Sequence, residues 1–382
     1  MRATVMSLRG RSLHVPEPQI VWDGLGLDSP HSGIGYYGKC LHEALCELGE
    51  TPIITSLVGT PTIINRDKVL FVPNARALTN NRKSASSRIY GLKPVFPSIS
   101  YKIATQKFTS LIYHGLSNLN LPCFVKKRAN DRFVVTIHDL IPLMAGGPSA
   151  LSVQMRVLMP QVVQIADAII VPSAWTKNCL AERFGTLIAE KIHIVPNGTT
   201  TLDVGISSST FSFGDKPNDV LSVARGEGYK RLPLIAALAK AMPNVNFILI
   251  TDAMGLRQVG ISSSNLKVLT NVNRNQLVEA YRSSKVFLHP SLYEGWCLPA
   301  ADAIMAGLFT LYVKGSGIQE VCNYAPLRSF GLSPKDGLDS WIEATTEALK
   351  KKDKMQTEVY QTDLPSWQEN ATKTLKIYQS II

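Results

Sequence analysis

HPSLYEGWCLPAADAIMAG, residues 289–307, sets one acid in a loop, a proline five residues later and a second acid three residues beyond that. The apolar run that leads into it, KVFLHPS, has the length of a strand. Pro299 suits the first turn of a helix, where a missing N–H costs nothing, and Gly307 suits the helix end. The spacing therefore predicts strand, loop and helix. Glu294 falls in the loop above the sheet and Asp302 in about the first turn of the helix, so both carboxylates can face one ligand lying across the helix N-terminus.

The same alternation extends in both directions. After residue 219 it runs DVLSVAR, helix LPLIAALAKAM, VNFILITD, NLKVLTN, helix RNQLVEAYRSS, and then FTLYVKG beyond the opening segment. In the first half, QIVWDGLGL is followed by GIGYYGKCLHEALCELG, which has helical periodicity, and by the strand-length runs TPIITSLVG, KVLFVP, TSLIYHG, RFVVTIHDL and DAIIVPS. Strands that are apolar throughout and separated by helices indicate parallel sheets covered on both faces. The fold class is α/β, in two doubly wound Rossmann-like halves. Residues 199–219, rich in Thr, Ser and Gly, have the composition of a connector between them.

A length of 382 residues suits two domains. With 45% hydrophobic and 18% charged residues, most of the chain is expected to be folded. No apolar run approaches the roughly 20 residues needed to span a bilayer, and the N-terminal arginines break any leader-like stretch, so the chain reads as cytoplasmic. The six cysteines show neither C-x-x-C spacing nor a histidine pattern for zinc and read as small buried hydrophobes.

Charge is unevenly placed. Thirteen basic residues between Arg66 and Arg132 face only Asp67 and Asp131, an excess of eleven that equals the net charge of the whole chain. Such a region suits an anionic membrane surface, a polyanionic acceptor or nucleic acid. Nucleic acid is disfavoured because no recognition helix or RNA-binding aromatic motif accompanies the charge. Tyr90, Phe96, Tyr101, Phe108 and Tyr113 either serve that surface or belong to the core.

GIGYYG, residues 33–38, matches the G-x-G-x-x-G dinucleotide fingerprint. That fingerprint needs an acid about 20 residues on to hold the ribose, and no acid occurs in TPIITSLVGTPTIIN before Asp67. A nicotinamide enzyme is therefore disfavoured. Gly33 and Gly35 remain candidates for a loop that brings backbone N–H groups to a phosphate, or simply form a tight strand-to-helix turn. In SVARGEGYKRLPLI, Arg225 ends a strand and Lys230 precedes a helix, with only Glu227 between them. A fork and a point charge at that spacing suit a diphosphate.

Together these segments resemble the retaining glycosyltransferases of the GT-B fold, family 4. GIGYYGKCLHEAL looks like the family's first glycine loop, VVTIHDLIPL like its central strand and loop, and IIVPSAWTKNCL and HIVPNGT like its middle segments. ARGEGYK resembles its arginine-x4-lysine phosphate clamp. YEGWCLPAAD resembles its Glu-x7-Glu motif, with Asp302 in place of the second Glu. SWQENATKTLKIYQSII resembles the terminal helix that crosses back to the first domain.

The resemblance implies an acceptor-binding domain at 1–200, a nucleotide-sugar domain at 201–365 and a returning helix at 366–382. It implies that Glu294 contacts the donor sugar and Asp302 the ribose, with Gly295, Trp296, Cys297 and Leu298 beside the donor and the base read around Val272 to Leu277. Arg225, Lys230, Gly33, Gly35 and the helix N-terminus near Pro299 would stabilise the leaving diphosphate. His138 would contact the sugar, while Asp139 would orient it, assist the acceptor hydroxyl or merely cap the following turn.

The reaction implied is retaining transfer of a hexose, first mannose from GDP-mannose, to a glycan or lipid-linked glycan. The nucleotide sugar is a co-substrate, and no cofactor is expected. With no Asp-x-Asp in the chain, transfer is expected to need no metal. The basic region points to peripheral contact with a membrane. Rival readings are a sugar phosphorylase or epimerase on the same double fold, and a catalytically weakened homologue acting as a binding or assembly subunit.

Overall fold

The apolar runs of the first half pair in parallel as one seven-stranded sheet: β1 (Gln19–Asp23), β2 (Ile53–Ser56), β3 (Val69–Phe71), β4 (Leu111–Gly115), β5 (Arg132–Thr136), β6 (Ala168–Val171) and β7 (Ile192–Ile194), in the order β3-β2-β1-β4-β5-β6-β7. A second parallel sheet holds β8 (Val220–Val223), β9 (Phe247–Thr251), β10 (Leu266–Thr270), β11 (Val286–His289), β12 (Phe309–Val313) and β13 (Ser329–Leu332), in the order β10-β9-β8-β11-β12-β13. The structure, a computed structural model, describes residues 17–27, 32–56, 69–71, 95–145, 149–199, 219–260, 263–354 and 362–382. Most of the proposed connector, Tyr90 and seven of the thirteen basic residues lie outside the described residues.

Helices cover both faces, as a sheet with fully buried strands such as LIYHG and FILIT requires. They are α1 (Gly33–Glu47), α2 (Phe96–Lys107), α3 (Ile141–Met144), α4 (Ala150–Ile165) and α5 (Ala174–Phe184) on the first sheet's side of the chain. On the second side come α6 (Leu232–Ala241), α7 (Ala253–Val259), α8 (Arg274–Ser283), α9 (Leu298–Met305), α10 (Gly317–Cys322) and α11 (Leu338–Lys354), and α12 (Trp367–Ser380) follows. α2 and α4 pack on one face of the first sheet around Tyr101, Tyr113, Phe133 and Met159. α1 and α12 pack on the other around Trp22, Tyr37, Leu41 and Tyr378. Phe96, Tyr101 and Tyr113 are buried, and Phe108 packs against the core that holds Tyr101 and Tyr113, so of the two alternatives the core one holds for these four. Burial also holds for Cys40, Cys123, Cys297 and Cys322, whereas Cys46 is exposed.

Each sheet reverses its winding beside its first strand, between β1 and β4 and between β8 and β11. Open α/β sheets bind ligands at that crevice, outside the carboxyl ends of the strands. Both crevices are lined by residues that follow strand ends, so the fold itself selects which loops can carry chemistry.

One buried polar chain ties α12 to the first sheet. The Tyr378 hydroxyl accepts from Trp22 Nε1 at 3.1 Å and bonds His114 Nδ1 at 2.6 Å, and His114 Nε2 bonds Thr136 Oγ1 at 2.9 Å. The Tyr37 hydroxyl joins the same Thr136 oxygen at 3.2 Å. Burial, helped by nearby His138, pushes His114 down to about 3, so the imidazole is neutral and the chain carries no net charge. Tyr378→Phe strands two buried donor or acceptor groups, and urea denaturation is expected to show a loss of about 1–3 kcal/mol.

Candidate active site

Charge and backbone shape at the site are set by the two turns of the second half. Val223 ends β8, and Gly228–Lys230 forms a single tight turn before α6, with Arg231 in the left-handed region at φ 55°. His289 ends β11, and Cys297, at φ 87°, turns the chain into α9. Non-glycine residues in that region store backbone strain that the surrounding structure must hold in place.

These turns bring Lys230, His289 and Glu294 together. Lys230 Nζ and His289 Nε2 each lie 2.5 Å from Glu294 Oε1, and Glu294 is only 7% exposed. Burial alone would raise the carboxyl, but Lys230 and His289 outweigh it and draw Glu294 down to about 2. Lys230 is raised in return, Glu294 overcoming the effect of burial, and its ammonium lies 5.1 Å from the centre of the Tyr229 ring. The pair is therefore ionised across the physiological range. His289, Glu294 and Cys297 place their ligand atoms within 4.8 Å of one another, a donor set that metals use. The Lys230 ammonium sits on the Glu294 oxygen that His289 also contacts, so the chain supplies its own cation there.

Arg225 departs from the sequence reading. It is exposed and lies 3.4 Å from Glu227 and 3.6 Å from Asp252, so an acid from β9's end joins the one between the two cations. Asp252 also accepts the N–H groups of Gly226 and Gly255, which with Arg225 hold its carboxyl below the usual range despite burial. An exposed pair of this kind is weak and readily exchanged for a stronger anion.

On the first half, the His138–Asp139 turn follows β5. Asn118 clamps it, accepting from the His138 N–H at 2.9 Å and donating to the Asp139 carbonyl at 2.8 Å. His138 Nε2 donates to the Leu116 carbonyl at 3.0 Å, and the ring meets Tyr37 edge-on at 4.9 Å. Burial outweighs that hydrogen bond and brings His138 down to about 4, so it is neutral. The Asp139 carboxylate accepts from the Ile141 N–H at 2.9 Å, which is the capping role, and burial raises it to about 6 with Glu294 adding to the rise. The carboxyl remains available to titrate near neutrality.

The two halves meet at this turn. A side chain at Gly295 would collide with the His138 carbonyl, and one at Gly317 with the Gly295 carbonyl. The Gly317 N–H donates to the Glu294 carbonyl at 2.7 Å. The Glu320 carboxylate accepts from the Ala174 and Trp175 N–H groups, both at 2.8 Å, so an acid from α10 caps α5 of the other half. Sequence reasoning missed His289, Asn118 and Glu320. A histidine at the end of an apolar strand, five residues before the loop acid, was the available signal for the first.

Other candidates are placed differently from the sequence reading. Gly33 and Gly35 stand within the first turn of α1 rather than in a loop before it, and the Gly35 N–H is taken by Ser32 Oγ at 3.0 Å. Trp296 and Cys297 turn their side chains into the second core because they are apolar, and Leu298 packs against the cores of both halves. Asp302 is the fifth residue of α9, just past its first turn, and half-buried. Burial raises it to about 7 against the pull of Arg274, and among the described residues no hydrogen bond joins its side chain to Glu294. Arg274 itself lies 5.7 Å from the centre of the Tyr36 ring of α1, while Val272 and Leu277 pack on the second core.

Two parallel doubly wound sheets, one carrying a buried ion pair and the other a clamped His–Asp turn, have the architecture of the GT-B fold. Residues 65–201 match the family model described as Glycosyltransferase Family 4, and residues 208–358 match that described as Glycosyl transferases group 1. The chain belongs to the GT-B glycosyltransferases of the family 4 type. Among curated proteins it is 22% identical to the phosphatidylinositol N-acetylglucosaminyltransferase gpi3 subunit of Schizosaccharomyces pombe, over 89% of this chain and 76% of that one. Sucrose-phosphate synthase from Thermosynechococcus elongatus superposes with a TM-score of 0.72 at 16% identity, covering 95% of this chain and 99% of that one. Anabaena HepE in complex with UDP-glucose gives 0.59 at 14% identity, covering 95% and 98%.

Two substitutions test the geometry. Gly295→Ala forces the halves apart at the His138 carbonyl and is expected to cost about 1–3 kcal/mol in denaturation experiments. Asp302→Asn addresses a pH window: with its folded pKa raised from 3.8 to about 7, Asp302 binds more protons folded than unfolded, and stability falls as pH rises through that interval. The Asn variant should therefore be more stable than the parent at pH 8, by on the order of 2 kcal/mol after allowing for partial exposure, with the gain absent near pH 4.

Proposed function

We propose that the protein transfers a hexose from a nucleotide sugar to a glycan or lipid-linked glycan acceptor, with retention of configuration at the sugar carbon. The observation that carries this reading is the buried Lys230–Glu294 pair set opposite the Asn118-clamped His138–Asp139 turn. Lys230 and Arg225 take the diphosphate, the exposed Arg225 exchanging Glu227 and Asp252 for it. Glu294, with one oxygen held by Lys230 and His289, offers the other to a sugar hydroxyl.

The chemistry then rests on charge stabilisation of the leaving diphosphate by fixed cations. The leaving phosphate takes the acceptor's proton, and Asp139, ionised above about 6, orients the acceptor hydroxyl. Transfer needs no divalent metal, because Lys230 already stands where a metal would balance Glu294. Asp302 holds the ribose, one methylene shorter than the family residue.

For the donor, the sequence motifs favour mannose from GDP-mannose, whereas the fission yeast relative is named for N-acetylglucosamine transfer and so favours a UDP sugar. Thermal denaturation with GDP, UDP, dTDP, ADP and CMP separates these, since a ligand bound only by the folded state raises the melting temperature. One nucleotide is expected to give a clear rise that Lys230→Ala removes. No rise with any nucleotide would favour instead a weakened homologue serving as a binding subunit. With the donor known, transfer should persist in EDTA; loss in EDTA with recovery on manganese would overturn the metal-independent reading.

A further inference from the structure

The outward surface of α2 and α4 combines three features that sugar transfer does not use. Both helices pack on the same face of the first sheet. The short segment between β4 and β5 spans them: the Phe124 N–H donates to Ser98 Oγ of α2 at 3.1 Å, and Gln161 Nε2 of α4 donates to the Cys123 carbonyl at 2.6 Å.

The first feature is apolar exposure. Val153 and Val157, one turn apart on α4 and so on the same side, are 51% and 69% exposed, and Phe124 is 55% exposed beside Ile99 of α2, also exposed. A surface helix ordinarily turns charged residues outward, yet the sixteen residues of α4 include one charge, Arg156.

Charge is the second. From residue 95 to residue 165 the only acids are Asp131 and Asp139. Asp131 is fully buried against Arg128 and Tyr101, and Asp139 caps the turn at Ile141. Lys102, Lys107, Lys126 and Arg156 are exposed on the same stretch.

A pocket of about 660 Å³ between α3, α4 and α5 is the third. Leu140, Leu143, Met144 and Pro160 give it apolar walls, and Arg156, Arg183 and Glu182 give it charge. Its lining begins at Leu140, one residue after Asp139, so it adjoins the proposed acceptor side of the cleft.

We propose that this face docks on an anionic bilayer and that the adjoining pocket receives the apolar portion of a phosphate-bearing lipid acceptor. The inference rests on the lipid-linked acceptor reading above and gives it a location. Exposed apolar side chains interleaved with cations, on a surface whose acids are withdrawn inward, match the boundary between acyl chains and anionic headgroups. An acidic protein partner would engage the lysines but gives no reason for Val153, Val157 and Phe124 to face outward together. No helix among the described residues is long and apolar enough to cross a membrane, so the contact lies on the surface.

Flotation of the full chain with vesicles of phosphatidylcholine, alone or mixed with phosphatidylglycerol, tests this. Binding is expected only with phosphatidylglycerol present and should weaken as salt rises. Val153→Asp with Val157→Asp, and separately Lys102→Glu with Lys126→Glu, should each lower it at least about fivefold. Both double variants alter exposed side chains and should keep the nucleotide-induced rise in melting temperature, while Lys230→Ala should keep vesicle binding. Equal binding to neutral vesicles, no binding to anionic ones, or unchanged binding by either double variant overturns the docking face and leaves the transfer reading standing. Absence of a nucleotide response in the unaltered chain, with vesicle binding intact, counts against the transfer reading instead.

Discussion

A carboxylate taken out of water stays ionised only if a cation or hydrogen-bond donors come with it, and one oxygen of Glu294 meets both the Lys230 ammonium and His289 Nε2. Much of the second half's irregular geometry serves this requirement. Lys230 must reach back from the turn after β8, which leaves Arg231 in a left-handed conformation, and Glu294 must leave β11 in a loop that closes through a left-handed Cys297. His289, at the last position of β11, completes the arrangement through Nε2. What results is a fixed field, with one carboxylate oxygen committed to the protein.

The first half answers with a polar turn whose one carboxyl titrates near neutrality. His138 is neutral, Asp139 titrates near 6, and Asn118 fixes the backbone of both. Such a surface offers a hydrogen-bonding turn, while Arg225, Lys230 and Glu294 all come from the other half. The division of labour follows from which strand ends face the cleft. It also explains how sequence identity can fall to 16% while the superposition with a sucrose-phosphate synthase remains at 0.72, since strand order and a few close backbone approaches are what the arrangement needs.

Strands were legible because they are apolar runs of the right length with both faces buried, and α1, α6, α8 and α9 because periodicity and capping agree there. The order of motifs also made Glu294 and Lys230 legible. Side-chain direction was not: one positive φ at Cys297 sends Trp296 into the core, and nothing in GWCLP announces it. Arg225's second partner, Asp252, lies a whole strand and helix away in sequence and depends on the pairing of β8 with β9. The glycines at 33 and 35 matched a loop pattern but fell one step late, inside the helix, because Ser32 supplies the cap. The basic region was legible as uneven charge, while its aromatics stayed open between surface and core until the short helix α2 is seen to bury the side of itself on which Phe96 and Tyr101 lie.

The helix α12 completes the core behind β1, supplying Tyr378 to Trp22 and His114, although nearly the entire chain separates it from them in sequence. Translation delivers these residues in the opposite order from the one packing would prefer. A nascent first half has its sheet and one covered face, but on its other face only α1 is in place, with Trp22 and Tyr37 lacking their neighbours Tyr378 and Trp367, until the second half has been synthesised. The two halves are therefore not beads that mature in turn on the ribosome; the earlier one is finished by the later one's last helix.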